Sequence, residues 1–382
     1  MQYVIYFVNL LPKRLIHINH FANIFAMKYL TLEKAVKSWN ALQPLTEQDR
    51  KRLSRKFTVD FNYNSNHIEG NTLTYGQTEL LLLFGKIIGE ADAKDVSDMT
   101  ASNVSLKMMT EETSTTNPLT QNFIRTLHKT LLREDYTVYK NLPGGHTTSY
   151  VIHAGQYKTR PNSVITRYGD RFDYASPEET PALMADLVDW YNKTEQLGKM
   201  SPAELAILFH YRYIRIHPFE DGNGRIARLL VNYILARHGY PMIVVRSRNK
   251  YEYLEALHSA DMTAGLSPSE GSRAELEQIK PFVQYFKKLM AQEIYGDVCF
   301  ITEHDEDLWW YDGEKIKFRS PNYGRILKIM QSEPVLALTD IPSKTDISMT
   351  AVNKLVKLLL SKHYIDKGTQ PGTWRVFITP SM

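Results

Sequence analysis

Residues 201–240 are dominated by two helical patterns that a short glycine-containing segment separates. Before this segment, large apolar side chains recur every three to four residues, at Leu205, Phe209, Tyr213 and Ile216. After it, the same spacing continues at Ile226, Leu229, Leu230, Tyr233 and Ile234, and Gly239 is typical of a helix end. The spacing predicts two core helices joined by a tight turn, in a mainly α-helical protein.

The segment between the two helices combines residues that suit an anionic ligand. It reads His217-Pro218-Phe219-Glu220-Asp221-Gly222-Asn223-Gly224-Arg225-Ile226-Ala227-Arg228. Amides at a helix N-terminus are unpaired, and flanking glycines let the backbone bend around an anion. Two arginines in the first turn oppose the helix dipole, so we expect them to neutralise a bound polyphosphate.

Other kinds of ligand site are less compatible with the sequence. Residues 222–227 fit the GxGxxA dinucleotide pattern, but that pattern needs a preceding strand, and a helix is predicted there. The chain contains no GxxxxGK[ST] run, which excludes a Walker loop. Zinc is disfavoured because the histidines lack HExxH spacing and the chain has one cysteine.

The twelve-residue segment matches HPFx[DE]GNGRxxR, the signature of the Fic family, at every fixed position. The sequence before it resembles the family's preceding helix at Ala206, His210 and Ile216. Further upstream, residues 155–158 resemble the family's GxYR segment, with Lys158 in place of arginine. The likeness covers residues 50–290 and implies a Fic helical bundle core with a small β-hairpin flap. It also implies the transfer of AMP from ATP to a protein hydroxyl.

The resemblance implies a role for each polar residue of the signature. His217 would accept the proton of a Ser, Thr or Tyr hydroxyl on a target protein, since imidazole suits this task near neutral pH. Asp221 would hold Mg²⁺, which prefers oxygen ligands, whereas Glu220 is expected to face solvent. The residues expected to bind the ATP phosphates are Gly222, Asn223, Gly224, Arg225 and, at the γ-phosphate, Arg228. Phe219 is expected to pack beneath the loop, and His210 to be a hydrogen-bonded core residue.

Residues 157–175 contain alternating and β-branched side chains around a Tyr168-Gly169-Asp170 turn, which predicts a hairpin. The resemblance identifies it with the flap that aligns a target protein by strand pairing, and a purely structural hairpin is the alternative. Its residues expected near ATP are Ser163, Val164 and Ile165. Tyr251 stands where the family often places an aromatic residue near adenine, although a core tyrosine fits the sequence equally well.

A second signal lies upstream, at Ser65-Asn66-His67-Ile68-Glu69-Gly70-Asn71. Helical spacing precedes it, and Gly70 is expected to end the helix, which leaves Glu69 where its charge opposes the dipole. Arg228 carries a positive charge near a helix N-terminus, where it also opposes the dipole. An ion pair between Glu69 and Arg228 would therefore relieve both unfavourable interactions. The segment resembles the family's inhibitory motif [ST]xxxE[GN], whose glutamate binds the second signature arginine and obstructs the γ-phosphate. Without such a partner, Glu69 would be an ordinary surface residue.

The composition is that of an ordinary globular protein. Of 382 residues, 43% are hydrophobic and 23% charged, and the net charge of +4 is too small to indicate nucleic-acid binding. Cys299 is the single cysteine, which suits a reducing cytoplasm, and no apolar run is long enough for a membrane helix. Residues 1–26 lack the ordered regions of a signal peptide, so we interpret them either as a start-site extension or as a genuine N-terminus.

We predict a helical region at 27–116 with the inhibitory motif, a Fic catalytic core at 117–295, a linker at 296–319 and a C-terminal module at 320–382. The linker contains Asp312-Gly313, which is typical of a hairpin. In the module, apolar spacing predicts a helix from Ser348, and two strands are predicted around Gly368 and Gly372. Helices followed by a small hairpin are typical of a winged helix, which would bind DNA, dock a protein or form a homodimer.

Three functions remain compatible with these observations. The first is an autoinhibited protein adenylyltransferase that modifies a target protein and itself. The second is an enzyme of the same fold that mainly removes AMP or uses another nucleotide donor. The third is a winged-helix DNA-binding regulator with a vestigial Fic region. The intact signature favours the first, because a vestigial site would tolerate the loss of His217 or Asp221.

Overall fold

The structure is a computed structural model that describes residues 30–87, 89–141, 147–165, 171–305, 307–318, 320–333, 336–367, 372 and 374–380. At positions 141, 164, 165 and 171 it describes the backbone alone. The predicted extension at residues 1–26 and the Tyr168-Gly169-Asp170 turn lie outside the described residues.

Helices make up most of the described chain, as predicted. The N-terminal region consists of α1 (Leu32–Asn40), α2 (Glu47–Ile68), α3 (Tyr75–Phe84) and α4 (Ala93–Glu112). The central region contains α5 (Gln121–Leu132), α6 (Thr180–Leu197), α7 (Pro202–Ile216), α8 (Asn223–Arg237), α9 (Lys250–Ala264), α10 (Pro268–Gly271) and α11 (Lys280–Thr302). A short 3-10 turn, Ser247–Asn249, precedes α9.

Helices α7 and α8 form the centre of the main core, which confirms the two helices predicted from the apolar spacing. Ser201 begins α7 by accepting a hydrogen bond from the Glu204 amide, and Pro202 occupies the first helical position, where no amide is needed. All the apolar positions predicted to face the core are at most 2% exposed. Helix α8 ends at Arg237, two residues before the left-handed Gly239. These two helices therefore hold the intervening loop on a rigid support.

Two small hairpins flank this loop. The predicted hairpin is present as β3 (Ser163–Ile165) and β4 (Arg171–Asp173), which pair antiparallel. A second hairpin, β1 (Tyr136–Asn141) and β2 (Thr147–Ile152), was not predicted. Its exposed face carries Tyr139 and Val151, so apolar side chains occur on both faces and the sequence lacks the alternation of a half-buried strand.

The C-terminal module has its own smaller core. Its helices are α12 (Pro321–Ser332), α13 (Ile341–Thr345) and α14 (Met349–Ser361), with a 3-10 turn at Leu338–Asp340. Its strands are β5 (Leu308–Tyr311), β6 (Glu314–Lys317), β7 (Ile365–Lys367), β8 (Trp374–Val376) and β9 (Thr379–Pro380). Ser348 caps α14 and β7 pairs with β8, as predicted. The winged-helix assignment itself stays a prediction.

The stretch predicted as a linker, residues 296–319, is largely regular structure. Helix α11 continues to Thr302 because Cys299, Phe300 and Ile301 are buried on it. Strands β5 and β6 then form the predicted hairpin, and β9 adds to β5 in a three-stranded sheet. Because Trp309 of β5 packs in the C-terminal core, this hairpin is part of the module rather than a connection to it.

The turn of the β5–β6 hairpin contacts α2. Asp312 and Gly313 have φ angles of 46° and 72°, which suit a tight hairpin turn. The Asp312 carboxylate accepts a hydrogen bond from Asn64 of α2 at 2.6 Å and pairs with the buried Arg246 at 3.0 Å. Arg246 also pairs with Asp60 of α2 at 3.0 Å. A buried ionic cluster therefore joins the C-terminal module to α2.

No helix within the described ranges is long and apolar enough to cross a lipid bilayer.

Candidate active site

The signature segment forms the turn between α7 and α8. His217 ends α7 in the left-handed conformation, with φ 52° and ψ 60°. Gly222 precedes α8 with φ 76°, a conformation that favours glycine, and accepts the first helical bond from the Ile226 amide at 3.0 Å. The amides of residues 222–225 therefore lie at the N-terminus of α8, where they have no partner within the helix.

Phe219 and Asn223 fix the shape of this loop. Phe219 is fully buried, as predicted, and stacks on His128 of α5 with ring centroids 3.7 Å apart. The Asn223 amide group both accepts from the Phe219 N–H, at 3.0 Å, and donates to the Phe219 carbonyl, at 2.7 Å. The Asn223 side chain is thus occupied by hydrogen bonds inside the loop. Its backbone N–H, at the N-terminus of α8, is therefore the group that would contact an anion.

His128 supports the loop from below. The Gly155 amide donates to Nδ1 of His128 at 2.9 Å, so Nε2 carries the proton and donates to the Asp221 carbonyl at 3.0 Å. Burial lowers the pKa of His128 to about 4, which keeps the ring neutral in this arrangement. No sequence motif marked this residue.

His217 has a partly buried imidazole that stacks on Tyr174, with ring centroids 3.9 Å apart. Desolvation and the nearby Lys158 ammonium lower the pKa of His217 to about 3. The ring is therefore neutral at pH 7 and able to accept a proton. A hydrogen bond between the imidazole and the Ile214 carbonyl opposes the lowering of this pKa without outweighing it.

Asp221 has a partly exposed carboxylate in the loop between α7 and α8. Its Oδ2 accepts a hydrogen bond from the Tyr136 hydroxyl at 2.7 Å and lies 3.4 Å from an Arg225 nitrogen. Burial opposes ionisation, but Arg225 and the Tyr136 hydrogen bond outweigh it and lower the pKa of Asp221. The described residues contain no cluster of three or more metal-ligating side chains. A lone, partly exposed carboxylate fits Mg²⁺, which usually takes its remaining ligands from water and phosphate.

Glu220 does not face solvent, so that prediction is wrong. Its side chain is 9% exposed and accepts hydrogen bonds from Arg160 and Thr159, both at 3.3 Å. The segment after Lys158 folds over the loop and supplies these partners. Glu220 is therefore held away from the position that Asp221 occupies.

Arg225 and Arg228 are both buried, in the first and second turns of α8 respectively. Arg225 retains a buried Nε with no hydrogen-bond partner among the described residues. Arg228 is 3% exposed and donates to the Ser65 hydroxyl and carbonyl, at 3.0 and 2.8 Å. Both guanidinium groups therefore lie near the N-terminus of α8, where an anion is favoured.

Glu69 also lies near the N-terminus of α8. Helix α2 ends at Ile68, and Glu69 follows as its C-cap, before Gly70 with φ 99°. The Glu69 carboxylate accepts a hydrogen bond from Arg228 at 2.7 Å, so the predicted pair is present. A Cβ on Gly224 would lie 2.5 Å from the same carboxylate oxygen, which shows how closely Glu69 approaches the start of α8.

The remaining predicted site residues are placed less closely. Tyr251 is 58% exposed in the first turn of α9, which excludes the core alternative. Ser163 begins β3 and is exposed, while the side chains of Val164 and Ile165 lie outside the described residues. His210 is fully buried and hydrogen-bonds the Tyr253 hydroxyl at 2.9 Å, which confirms its assignment to the core.

Comparison with known proteins gives consistent matches. The Fic/DOC family model matches residues 118–235. A protein adenylyltransferase fic-1 of Caenorhabditis briggsae is 28% identical over 238 residues, which are 62% of this chain and 41% of that protein. The chain therefore spans about two fifths of the length of the curated relatives that it matches first.

Solved structures also resemble this chain. A Fic-domain-containing signaling protein from Bacteroides thetaiotaomicron is 52% identical, with a TM-score of 0.65, over 70% of this chain and 95% of that one. A Fic family protein from Desulfovibrio desulfuricans is 18% identical, with a TM-score of 0.54, over 93% of this chain and 95% of that one, and shows the shared fold. On the family match and on the identity to a relative that it covers almost completely, this chain belongs to the Fic/DOC family.

Proposed function

We propose that this chain is an autoinhibited protein adenylyltransferase. It would transfer AMP from ATP to a Ser, Thr or Tyr hydroxyl of a target protein and of itself. The names of the curated relatives support this activity, although they are much longer proteins. One observation of the site carries the proposal. Two buried arginines converge on the N-terminus of α8, and Arg225 keeps an unpaired buried N–H within the described structure.

The site residues suit polyphosphate binding. The amides of residues 223–225, which have no partner within the helix, and the positive end of the helix dipole favour negative charge, and Arg225 and Arg228 add two formal charges. When Mg²⁺ is bound, Asp221 would hold it, and the ion would neutralise phosphate charge. Tyr251, exposed at the start of α9, is the candidate contact for adenine, together with residues 163–165 of the flap.

His217 would act as the general base. Its neutral ring takes the proton from the target hydroxyl while the hydroxyl oxygen forms a bond to the α-phosphorus. The bond between that phosphorus and the oxygen bridging to the β-phosphate breaks, and pyrophosphate leaves. A pKa of about 3 makes His217 a weak base in the ligand-free site. Bound phosphate would add nearby negative charge and raise this pKa toward the range where general bases are effective.

Glu69 would inhibit this reaction. Its carboxylate occupies Arg228 and lies against Gly224, both of which are assigned to the phosphates. A γ-phosphate at this position would meet a like charge and lose one guanidinium N–H. The nucleotide would therefore bind with its α-phosphate displaced from in-line attack.

ATP labelled at the α- or the γ-phosphate tests the proposal. We expect α-label to appear on protein, weakly with the natural chain and more strongly with Glu69→Gly. Transfer of γ-label would indicate a kinase, and release of AMP from a pre-modified protein would indicate the reverse activity. Absence of any transfer, even by Glu69→Gly, would overturn the proposal and leave a regulatory role for the C-terminal module.

A further inference from the structure

Lys158 is a buried cation directly beneath the loop between α7 and α8, the catalytic loop of residues 217–222. It is 3% exposed, although lysine rarely lies fully buried without partners. Its ammonium group donates to three oxygens: the Ile216 carbonyl at 3.1 Å, the His217 carbonyl at 2.9 Å and Asn162 Oδ1 at 2.9 Å. These three acceptors match the three N–H bonds of an ammonium group.

Two of these acceptors are carbonyls at the end of α7. The last carbonyls of a helix have no partner within it and carry partial negative charge, so a cation is favoured there. The His217 carbonyl also belongs to a residue in the left-handed conformation, with φ 52°, which costs a non-glycine residue about 1 kcal/mol or more. Lys158 compensates for this cost by holding the carbonyl that the left-handed turn redirects.

The third acceptor connects Lys158 to the flap. Asn162 directly precedes β3, and its Nδ2 donates to the Phe219 carbonyl at 3.0 Å. The Lys158 amide donates to the Pro218 carbonyl at 2.9 Å. Just after β4, Tyr174 stacks on His217. Both ends of the flap are therefore attached to the catalytic loop around Lys158.

We propose that Lys158 is a positioning residue for His217, which fixes the imidazole in its left-handed turn and joins it to the base of the flap. This inference rests on the proposed function. Burial is the main reason that the pKa of His217 is lowered, and the Lys158 charge adds to this effect. A target strand seated on the flap would thereby be held in register with the base that deprotonates its hydroxyl.

The charged groups around Lys158 define a pH dependence. Burial lowers the pKa of Lys158 to about 8, and Glu179 at the start of α6 opposes this shift. His217, packed above, is neutral, and Asn162 carries no charge. Above pH 8 the ammonium group would lose one proton, hence one of its three hydrogen bonds and its charge. Arginine at this position would stay charged throughout this range.

The test is steady-state transfer to a protein substrate by the full chain, natural and with Glu69→Gly. For Lys158→Met we expect kcat to fall at least tenfold, with KM for ATP changed less than threefold, because the phosphates of ATP are assigned to α8, which Lys158 does not contact. Lys158→Arg should restore most of kcat and lack the decline that we expect above pH 8 in the natural chain. Asn162→Ala leaves the two backbone contacts of Lys158 in place and should lower kcat to a smaller extent. Lys193→Met, at an exposed position of α6, is the matched control.

Several results would overturn the inference. Unchanged kcat and pH profile in Lys158→Met would show that His217 needs no such support. Equal losses in Lys158→Met and Lys158→Arg, with folded protein by circular dichroism, would indicate a space-filling role. If Lys158→Met does not fold, the pH profile of Lys158→Arg decides. A decline of kcat above pH 8 equal to that of the natural chain would overturn the inference. No transfer by any variant or by the natural chain would instead contradict the proposed function.

Discussion

Replacement of Glu69 by glycine should activate the enzyme. In the structure, Arg228 is shared between Ser65, which contributes two acceptors, and the Glu69 carboxylate. Removing the carboxylate leaves the two Ser65 contacts, so Arg228 should stay ordered while one N–H becomes available to a γ-phosphate. Space also opens beside Gly224 at the start of α8. We therefore expect faster transfer of AMP, visible first as self-modification.

The size of this effect follows from the burial of the two partners. At 2.7 Å the direct attraction is about 6 kcal/mol for an effective dielectric constant of about 20. Arg228 is 3% exposed but Glu69 is 40% exposed, so water reduces the net value. Exposed pairs contribute about 0.2–1 kcal/mol, and loss of one partner of a buried pair costs about 3–5 kcal/mol. An intermediate value of about 1.5–3 kcal/mol corresponds to roughly tenfold to 150-fold activation.

The assay is a four-protein cycle with α-labelled ATP: the natural chain, Glu69→Gly, Arg228→Ala and the double variant. Arg228→Ala should be poorly active with or without Glu69, because the same arginine is assigned to ATP. Glu111→Gly, at an exposed position near the end of α4, controls for the loss of a glutamate near a helix C-terminus. Equal rates for the natural chain and Glu69→Gly would refute the reasoning. Equal activation by Glu69→Gly in the natural chain and in Arg228→Ala would also refute it.

Three further outcomes are expected. His217→Ala should lower transfer about 10²–10⁴-fold while ATP affinity changes only a few-fold; a near-natural rate would remove His217 from the mechanism. Asp221→Ala should lose both activity and the response to Mg²⁺ titration, whereas Glu220→Ala should keep its Mg²⁺ response; the reverse pattern would show that the metal ligand is misassigned. Because the pKa of His128 falls from about 6.5 in an unfolded chain to about 4 on burial, protonation favours unfolding between these values. The free energy of unfolding should drop by about 2–3 kcal/mol more between pH 7 and 4.5 in the natural chain than in His128→Gln, measured with urea.

The part of the site that lies on α7 and α8 was predictable because its signals are local. Helical spacing, Ser201-Pro202 at one helix start and Gly222 at the next are all readable within a few residues. The Glu69–Arg228 pair was also predictable, because each charge is placed unfavourably with respect to its own helix. Those two helix ends then provide the missing partner for each other.

Contacts made by distant elements were not predictable in this way. His128 and Tyr136 reach Asp221 from α5 and β1, and neither lies in a pattern that marks it. Glu220 was expected in solvent because the family signature leaves its position free, yet Arg160 covers it from 60 residues away. The buried position of Lys158 has the same origin, since its acceptors lie at the end of α7. Tertiary packing, not local propensity, decides each of these cases.

The β5–β6 turn has a consequence for how the chain can be shortened. Gly313 leaves no room for a side chain beside the Arg246 guanidinium, and Asp312 supplies one of the three carboxylates around that cation. A protein cut between α11 and β5 would retain the whole signature and the inhibitory helix. It would also lose an anion from a buried cluster and open the side of α2 that carries Asn64. The end of a catalytic fragment is therefore better placed after the C-terminal module than before it.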